Sequence, residues 1–206
     1  MGKEIMIRNI VFDLGGVLVD WNPRYVYKDI FVTSLATEYF LKNICSNHWN
    51  EQQDAGRSFS TATEVLVREF PHFESEIRAY YGRWSEMLKG EIPETVSLLQ
   101  ELKMLEKYRL LALTNWSDES FPVALERFEF LQLFEGILVS GTEKLIKPDP
   151  AIFELLMQRY QIKADETLFI DDNIKNIQTA KQLGFNAVHF DNPNIKIDEI
   201  KSFLNI

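Results

Sequence analysis

Short apolar runs alternate along most of this chain with longer segments whose apolar residues recur every three or four positions. The first run, residues 5–12, is rich in β-branched side chains and stops at Asp13, with Gly15 and Gly16 just beyond. An apolar run that breaks into a glycine pair predicts a buried strand giving way to a tight loop. Val17, Leu18 and Val19 then resume an extended pattern before Asn22-Pro23. Residues 109–113, 136–140, 167–170 and 187–190 read as further short strands. Residues 93–106, 121–130, 150–160 and 173–183 read as helices. In 93–106, Val96, Leu99, Leu102 and Leu105 share one face. Asp149 and Pro150 suit the N-cap and first position of the helix over 150–160. Gly184 suits the residue just past the end of 173–183. Alternation of this kind is the βαβ pattern. The expected fold class is therefore α/β, with a parallel sheet covered on both faces.

Residues 23–89 have a different character, with aromatics, many charges and few strand-like runs. Three amphipathic helices are expected there, over 25–41, 62–70 and 73–88, with a turn at 53–57. This block reads as a helical insert. Three of the predicted strands run directly into polar residues, namely Asp13, Thr114-Asn115 and Asp171-Asp172. Open α/β sheets bind ligands outside the carboxyl ends of their strands. These residues are accordingly expected to converge.

Composition narrows the function classes. The 206 residues are 46% apolar, with 15 Phe and 4 Trp, enough for a sizeable core. Lys and Arg total 22 against 31 Asp and Glu, a net charge of −9. Such a field repels nucleic acid, and an anionic substrate would need a local positive focus. Cys45 is the only cysteine, so neither an intrachain disulfide nor a cysteine metal cluster is expected. The opening MGKEIMIRNI is too short and too charged for a signal peptide, and no stretch is long and apolar enough for a membrane span. A cytoplasmic location is expected.

Each polar candidate has an ordinary reading beside a chemical one. Asp13 is either a carboxylate capping its turn or a nucleophile beside glycine N–H groups that can hold an anion. Asp171 and Asp172 are either a solvated acidic loop or ligands of a hard cation such as Mg²⁺. Thr114 and Asn115 read as a turn, or as donors to a phosphoryl oxygen. Lys147 reads as a surface lysine before a helix cap, or as a neutralising charge. Trp21, Asn22, Arg24, Trp49, Arg57, Trp84 and Trp116 could line a pocket, although aromatics more often serve a core. His48, His72 and His189 read as structural or surface residues.

Together the pieces resemble the haloacid dehalogenase superfamily over nearly the whole chain. VFDLGGVLVDWNP is similar to its first motif, LALTNWS to its second, IKPDPAIF to its third and LFIDDNIKNIQTAKQLG to its fourth. The resemblance implies that Asp13 is the nucleophile and that Gly16, Thr114, Asn115 and Lys147 hold the phosphoryl group, with Lys147 also counted as catalytic. It implies Mg²⁺ on Asp13, the Gly15 carbonyl, Asp172 and, in support, Asp171. It further implies a three-layer Rossmann-like α/β core with a parallel sheet over 1–20 and 90–206 and an inserted α-helical cap over 21–89. The cap would place Trp21, Arg24 and Arg57 near the substrate. In one respect the chain departs from the usual phosphatase pattern: Gly15 stands where a second aspartate normally acts as acid and base. A sugar-phosphate-hydrolysing branch shares this Asp-Leu-Gly opening.

The function expected is a Mg²⁺-dependent phosphatase of a small phosphorylated metabolite, such as a sugar phosphate, working through a phosphoaspartate. The implied partners exclude nucleic acid and membrane, and the chain would act as a monomer or homodimer. A 2-haloacid dehalogenase using the same aspartate is the second reading. A non-catalytic module binding a phospholigand or protein is the third.

Overall fold

The computed structural model describes residues 6–206. Ile5, where the first apolar run begins, and the segment ahead of it lie outside the described residues. In chain order the strands are β1 (Asn9–Phe12), β2 (Val19–Trp21), β3 (Leu88–Glu91), β4 (Arg109–Thr114), β5 (Gly136–Val139), β6 (Thr167–Asp171) and β7 (Asn186–His189). Five of them make one parallel sheet, ordered β5-β4-β1-β6-β7. The central strand β1 is flanked on both sides, with Phe12 paired to Ala112 and to Ile170. One residue further on, the Asp13 N–H donates to the Ile170 carbonyl at 2.8 Å. Asp13, Thr114 and Asp171 thus emerge from three adjacent strands at one edge of the sheet, as the alternation along the chain predicts.

Side-chain alternation divides the core into two layers. Ile10 and Phe12 pack on one face with Leu98, Leu99 and Leu102 of α6 (Pro93–Met104) and with Ile200 and Leu204 of α11 (Pro193–Leu204). Val11, Leu111 and Phe169 pack on the other with Ile152, Phe153 and Leu156 of α9 (Pro150–Tyr160) and Ile177 of α10 (Ile174–Gln182). Phe153, Phe169 and Phe185 meet edge to face. Each fully buried Phe or Leu contributes about 1.5–3 kcal/mol. The expected caps are present: the Asp149 carboxylate accepts from the Ala151 N–H, and Gly184 takes a positive φ just past α10.

The helical block differs from expectation. The segment 25–41 is two helices, α1 (Arg24–Tyr27) and α2 (Ser34–Asn43), because Thr33 takes an extended backbone and its hydroxyl caps the second helix at Ala36. An unpredicted helix, α3 (Asn47–Asp54), follows. It is so polar that only Trp49 and Gln53 are buried, which leaves no apolar stripe to read. Next, α4 (Phe59–Glu69) starts three residues before the expected 62–70, where Ser58 caps it at Thr61. The expected helix over 73–88 ends early as α5 (Glu74–Gly82); a 3₁₀ turn, Trp84–Met87, then leads into β3. β3 pairs antiparallel with β2 in a separate two-stranded ribbon. The pairing partner lies far away in sequence, so local periodicity carries no sign of it. In the core, α7 (Phe121–Arg127) is shorter than the expected 121–130. Phe128 turns extended there so that its ring packs against Phe130 at 5.6 Å. A four-residue helix, α8 (Ser140–Glu143), follows β5. Among the described residues no helix is long and apolar enough to cross a membrane.

Candidate active site

The loop after β1 is bent so that its groups face the sheet edge. The Leu14 N–H donates to Asp13 Oδ1 at 2.7 Å. Gly16 has φ +73°, and a Cβ there would lie 2.4 Å from Asp172 Oδ2. Only glycine permits both that conformation and the close approach of the acidic loop after β6. The Gly16 N–H itself donates to the Val19 carbonyl at 3.0 Å. What this residue brings to the site is therefore space rather than a free donor.

Lys147 comes from the loop between α8 and α9, and its side chain is wholly buried. Its ammonium reaches Asp171 Oδ2 at 2.7 Å, the Leu113 carbonyl at 2.8 Å and Asp13 Oδ1 at 3.0 Å. Asn115 secures this loop through both amide atoms. Its Nδ2 donates to the Lys147 carbonyl at 2.9 Å and its Oδ1 accepts from the Lys147 N–H at 2.8 Å. Asp171 also accepts from the Asn173 N–H and from Asn176 Nδ2. Sequence reasoning missed Asn176 of α10, naming only Asp171 and Asp172 within the fourth motif; its amide bonds both oxygens of Asp171 and so fixes that carboxylate. Thr114 Oγ1 is buried and has no hydrogen-bond partner among the described residues.

Asp13, Asp171 and Asp172 each offer an oxygen within 4.8 Å of the others. Burial pushes the Asp13 carboxyl well above the usual carboxylate range; Lys147 opposes this, while Asp171 and Asp172 add to it. Asp172 is raised for the same reason, burial first and Asp171 next. For Lys147, burial works against the charge, but Asp13 and Asp171 outweigh it and hold the ammonium protonated. Crowded carboxylates next to one cation suit a hard divalent ion, which would relieve their mutual repulsion.

A cavity of about 90 Å³ opens beside this cluster, with Gly15 and Asn115 on its lining. Its walls are largely aromatic. Trp21 and Trp116 line it, and so do Phe59, Tyr81 and Trp84. Trp84 meets Trp116 edge to face at 5.7 Å, which joins the helical block to the core. The buried indole N–H groups of Trp21 and Trp116 have no partner among the described residues. Asn50 and Asp54 of α3 and Ser117 and Ser120 of the core complete the lining. Sequence reasoning missed these four, because they belong to an unpredicted helix and to an irregular loop.

Other pocket candidates lie elsewhere. Arg24 forms a bidentate pair with Glu38 on the surface. Arg57 donates to Gln53 and to the Trp49 carbonyl, facing a different surface groove. Asn22 accepts from the Arg24 N–H, and Trp49 packs against Tyr80 and Tyr81 inside the block. None of the four lines the cavity; Arg24, Arg57 and Asn22 have partners close by, and Trp49 is held by its ring contacts.

Comparison with known proteins agrees with this geometry. The chain is 28% identical to a sesquiterpene phosphatase of Aspergillus oryzae over 179 residues, 87% of each protein. It is 26% identical to a D-ribitol-5-phosphate phosphatase of Bacteroides thetaiotaomicron, covering 97% of this chain and 100% of that one. A solved structure of a haloacid dehalogenase family enzyme from the same bacterium, in complex with magnesium and inorganic phosphate, superposes with a TM-score of 0.66 at 25% identity. The match covers 88% of this chain and 93% of that one. The model of the haloacid dehalogenase-like hydrolase family matches residues 7–184, a span that includes every strand and charged group of the cluster around Lys147 except the edge strand β7. By that match, and by a sheet that delivers Asp13, Thr114 and Asp171 to one edge, the chain belongs to the haloacid dehalogenase-like hydrolases.

Proposed function

We propose that the chain is a Mg²⁺-dependent phosphatase that hydrolyses a small phosphorylated metabolite, of the sugar- or polyol-phosphate class, through a phosphoaspartate on Asp13. The observation that carries this reading is the contact of Asp13 with buried Lys147 inside a group of three carboxylates. Both the Leu14 N–H and Lys147 bind Oδ1 of Asp13, which orients the carboxylate and leaves Oδ2 for attack on phosphorus. Lys147 offsets negative charge as the phosphoryl group transfers, and the unpartnered Thr114 hydroxyl is a donor for one of its oxygens. Asp13, the Gly15 carbonyl and Asp172 would hold Mg²⁺, with Asp171 in support; when bound, the ion supplies charge neutralisation at the phosphoryl oxygens.

The cavity supports the substrate class. Aromatic walls suit the C–H faces of a sugar or polyol, and the free indole N–H groups of Trp21 and Trp116 suit hydroxyl acceptors. The block over 21–89 serves as a cap in this reading, because it contributes one wall of the cavity and the core contributes the other. Closure of such a cap excludes water from the phosphoenzyme. A dehalogenase attacking carbon would have no use for the carboxylate cluster, so that cluster favours phosphoryl transfer.

A panel of phosphate esters assayed with Mg²⁺ and with EDTA tests the proposal. Turnover is expected with Mg²⁺ only, and Asp13→Asn should abolish it while leaving the circular dichroism spectrum unchanged. Full activity in EDTA, or turnover by that variant, would overturn it.

A further inference from the structure

Hydrolysis of a phosphate ester with a basic leaving group requires two proton transfers. Position 15, where such a group would be expected, is glycine. A Cβ built on Gly15 meets no heavy atom within 4 Å, so the space into which a side chain would project is open. Gly15 itself lines the aromatic-walled cavity, and a carboxylate lines the same cavity from the helical block. This is Asp54, the last residue of α3.

Asp54 is held in place from the core. Ser140 Oγ donates to its carbonyl at 2.6 Å, and the Ser117 backbone N–H faces its carboxylate. Asn50 Nδ2 lies 3.4 Å from Asp54 Oδ2. The neighbouring cation, Arg57, is committed to Gln53 and the Trp49 carbonyl. Glu51 on the same helix and Tyr80 and Tyr81 on α5 are the titratable groups that face it.

We propose that Asp54 is the general acid and base of this enzyme, acting across the cavity in place of the side chain that Gly15 lacks. The inference rests on the phosphatase reading above. In the first step Asp13 Oδ2 bonds to phosphorus, the ester P–O bond breaks, and the Asp54 proton passes to the leaving oxygen, releasing an alcohol. In the second, the Asp54 carboxylate takes a proton from water. The water oxygen bonds to phosphorus and the phosphorus–Asp13 bond breaks, which frees phosphate and leaves Asp54 protonated again. Burial pushes the Asp54 carboxyl up to about 7; Glu51 adds to the shift and the Ser117 N–H opposes it. Both protonation states are therefore populated near neutral pH, as the two steps require.

Leaving-group dependence separates this role from a structural one. Phenyl phosphate needs a proton on its leaving oxygen, and 2,4-dinitrophenyl phosphate does not. Asp54→Asn is expected to lower kcat/KM for phenyl phosphate by about 10²- to 10⁴-fold, and for the dinitrophenyl ester by less than about tenfold. Adding Gly15→Asp to that variant should restore roughly tenfold or more of the phenyl phosphate activity. Equal losses on both esters, or unimpaired kinetics, would overturn the assignment. Should Asp54→Asn not fold, the wild-type enzyme provides the test. Its kcat/KM for phenyl phosphate should fall as pH rises through about 7, with no such limb for the dinitrophenyl ester; a limb common to both esters would count against Asp54. If the wild type with Mg²⁺ turns over neither ester, the phosphatase reading fails too. If it turns over both and Asp54→Asn is unimpaired, the assignment of Asp54 fails alone.

Discussion

Lys147 has no accessible side-chain surface and touches two carboxylates, so its loss should cost more than loss of a surface ion pair. Lys147→Met is predicted to lower stability by about 3–5 kcal/mol in urea denaturation, because Asp13 and Asp171 would stay buried without their cation. A change below about 1 kcal/mol, the size seen for exposed pairs, would contradict this account. Asp54 leads to a prediction of the opposite sign. Its folded-state pKa is raised from 3.8 to about 7, so its contribution to stability is fully present below 3.8 and lost as pH rises through 7. Asp54→Asn should therefore melt at a higher temperature than the wild type at pH 8, with the difference vanishing toward pH 4. A constant difference across that range would show that Asp54 is not held in a shifted state.

Secondary-structure elements show where local signals suffice and where they fail. Helices α6, α9 and α10 carry apolar stripes together with Pro, Asp or Asn at their starts, and they lie within a few residues of expectation. α3 and the β2–β3 ribbon were not foreseen. α3 buries only Trp49 and Gln53 and is tied to its surroundings by Asn50 and Asp54, and the ribbon exists only because residues about 70 apart in sequence pair. The elements also pack closely against the loops of the site. A Cβ on Gly141, in α8, would lie 2.5 Å from the Asp118 backbone N and 2.8 Å from the Trp116 carbonyl. Gly141→Ala must then shift the loop that carries Trp116 and Ser117. The expected cost is about 1–3 kcal/mol by thermal melting, with a fall in kcat/KM. Unchanged melting and activity would mean that the loop yields freely.

At the scale of the whole molecule, a net charge of −9 and three carboxylates crowded at one sheet edge both favour binding of a divalent cation. Mg²⁺ at 100 times its dissociation constant is predicted to stabilise the fold by about 2.7 kcal/mol. A thermal shift assay should show this rise for the wild type and a much smaller one for Asp172→Ala. The same melting temperature with and without Mg²⁺ would refute a cation site at this edge. The cavity is walled partly by the helical block and partly by the core, and Trp84 and Trp116 touch across the join.

The order of strands and helices, and the polar residues at the strand ends, follow from the sequence alone. Local periodicity and turn chemistry act over a few residues, and a parallel sheet sends every strand's carboxyl end to the same edge. Asp13, Asp171 and Asp172 were legible for that reason, and Lys147, which lies in a loop rather than at a strand end, only through its likeness to the third of four ordered motifs. Tertiary structure alone decided which of the remaining side chains enter the cavity. It turned Arg24 toward Glu38 and Arg57 toward Gln53, because each had a partner already within reach. It also brought Asp54 against the Ser117 N–H, a contact across 63 positions that no local pattern encodes.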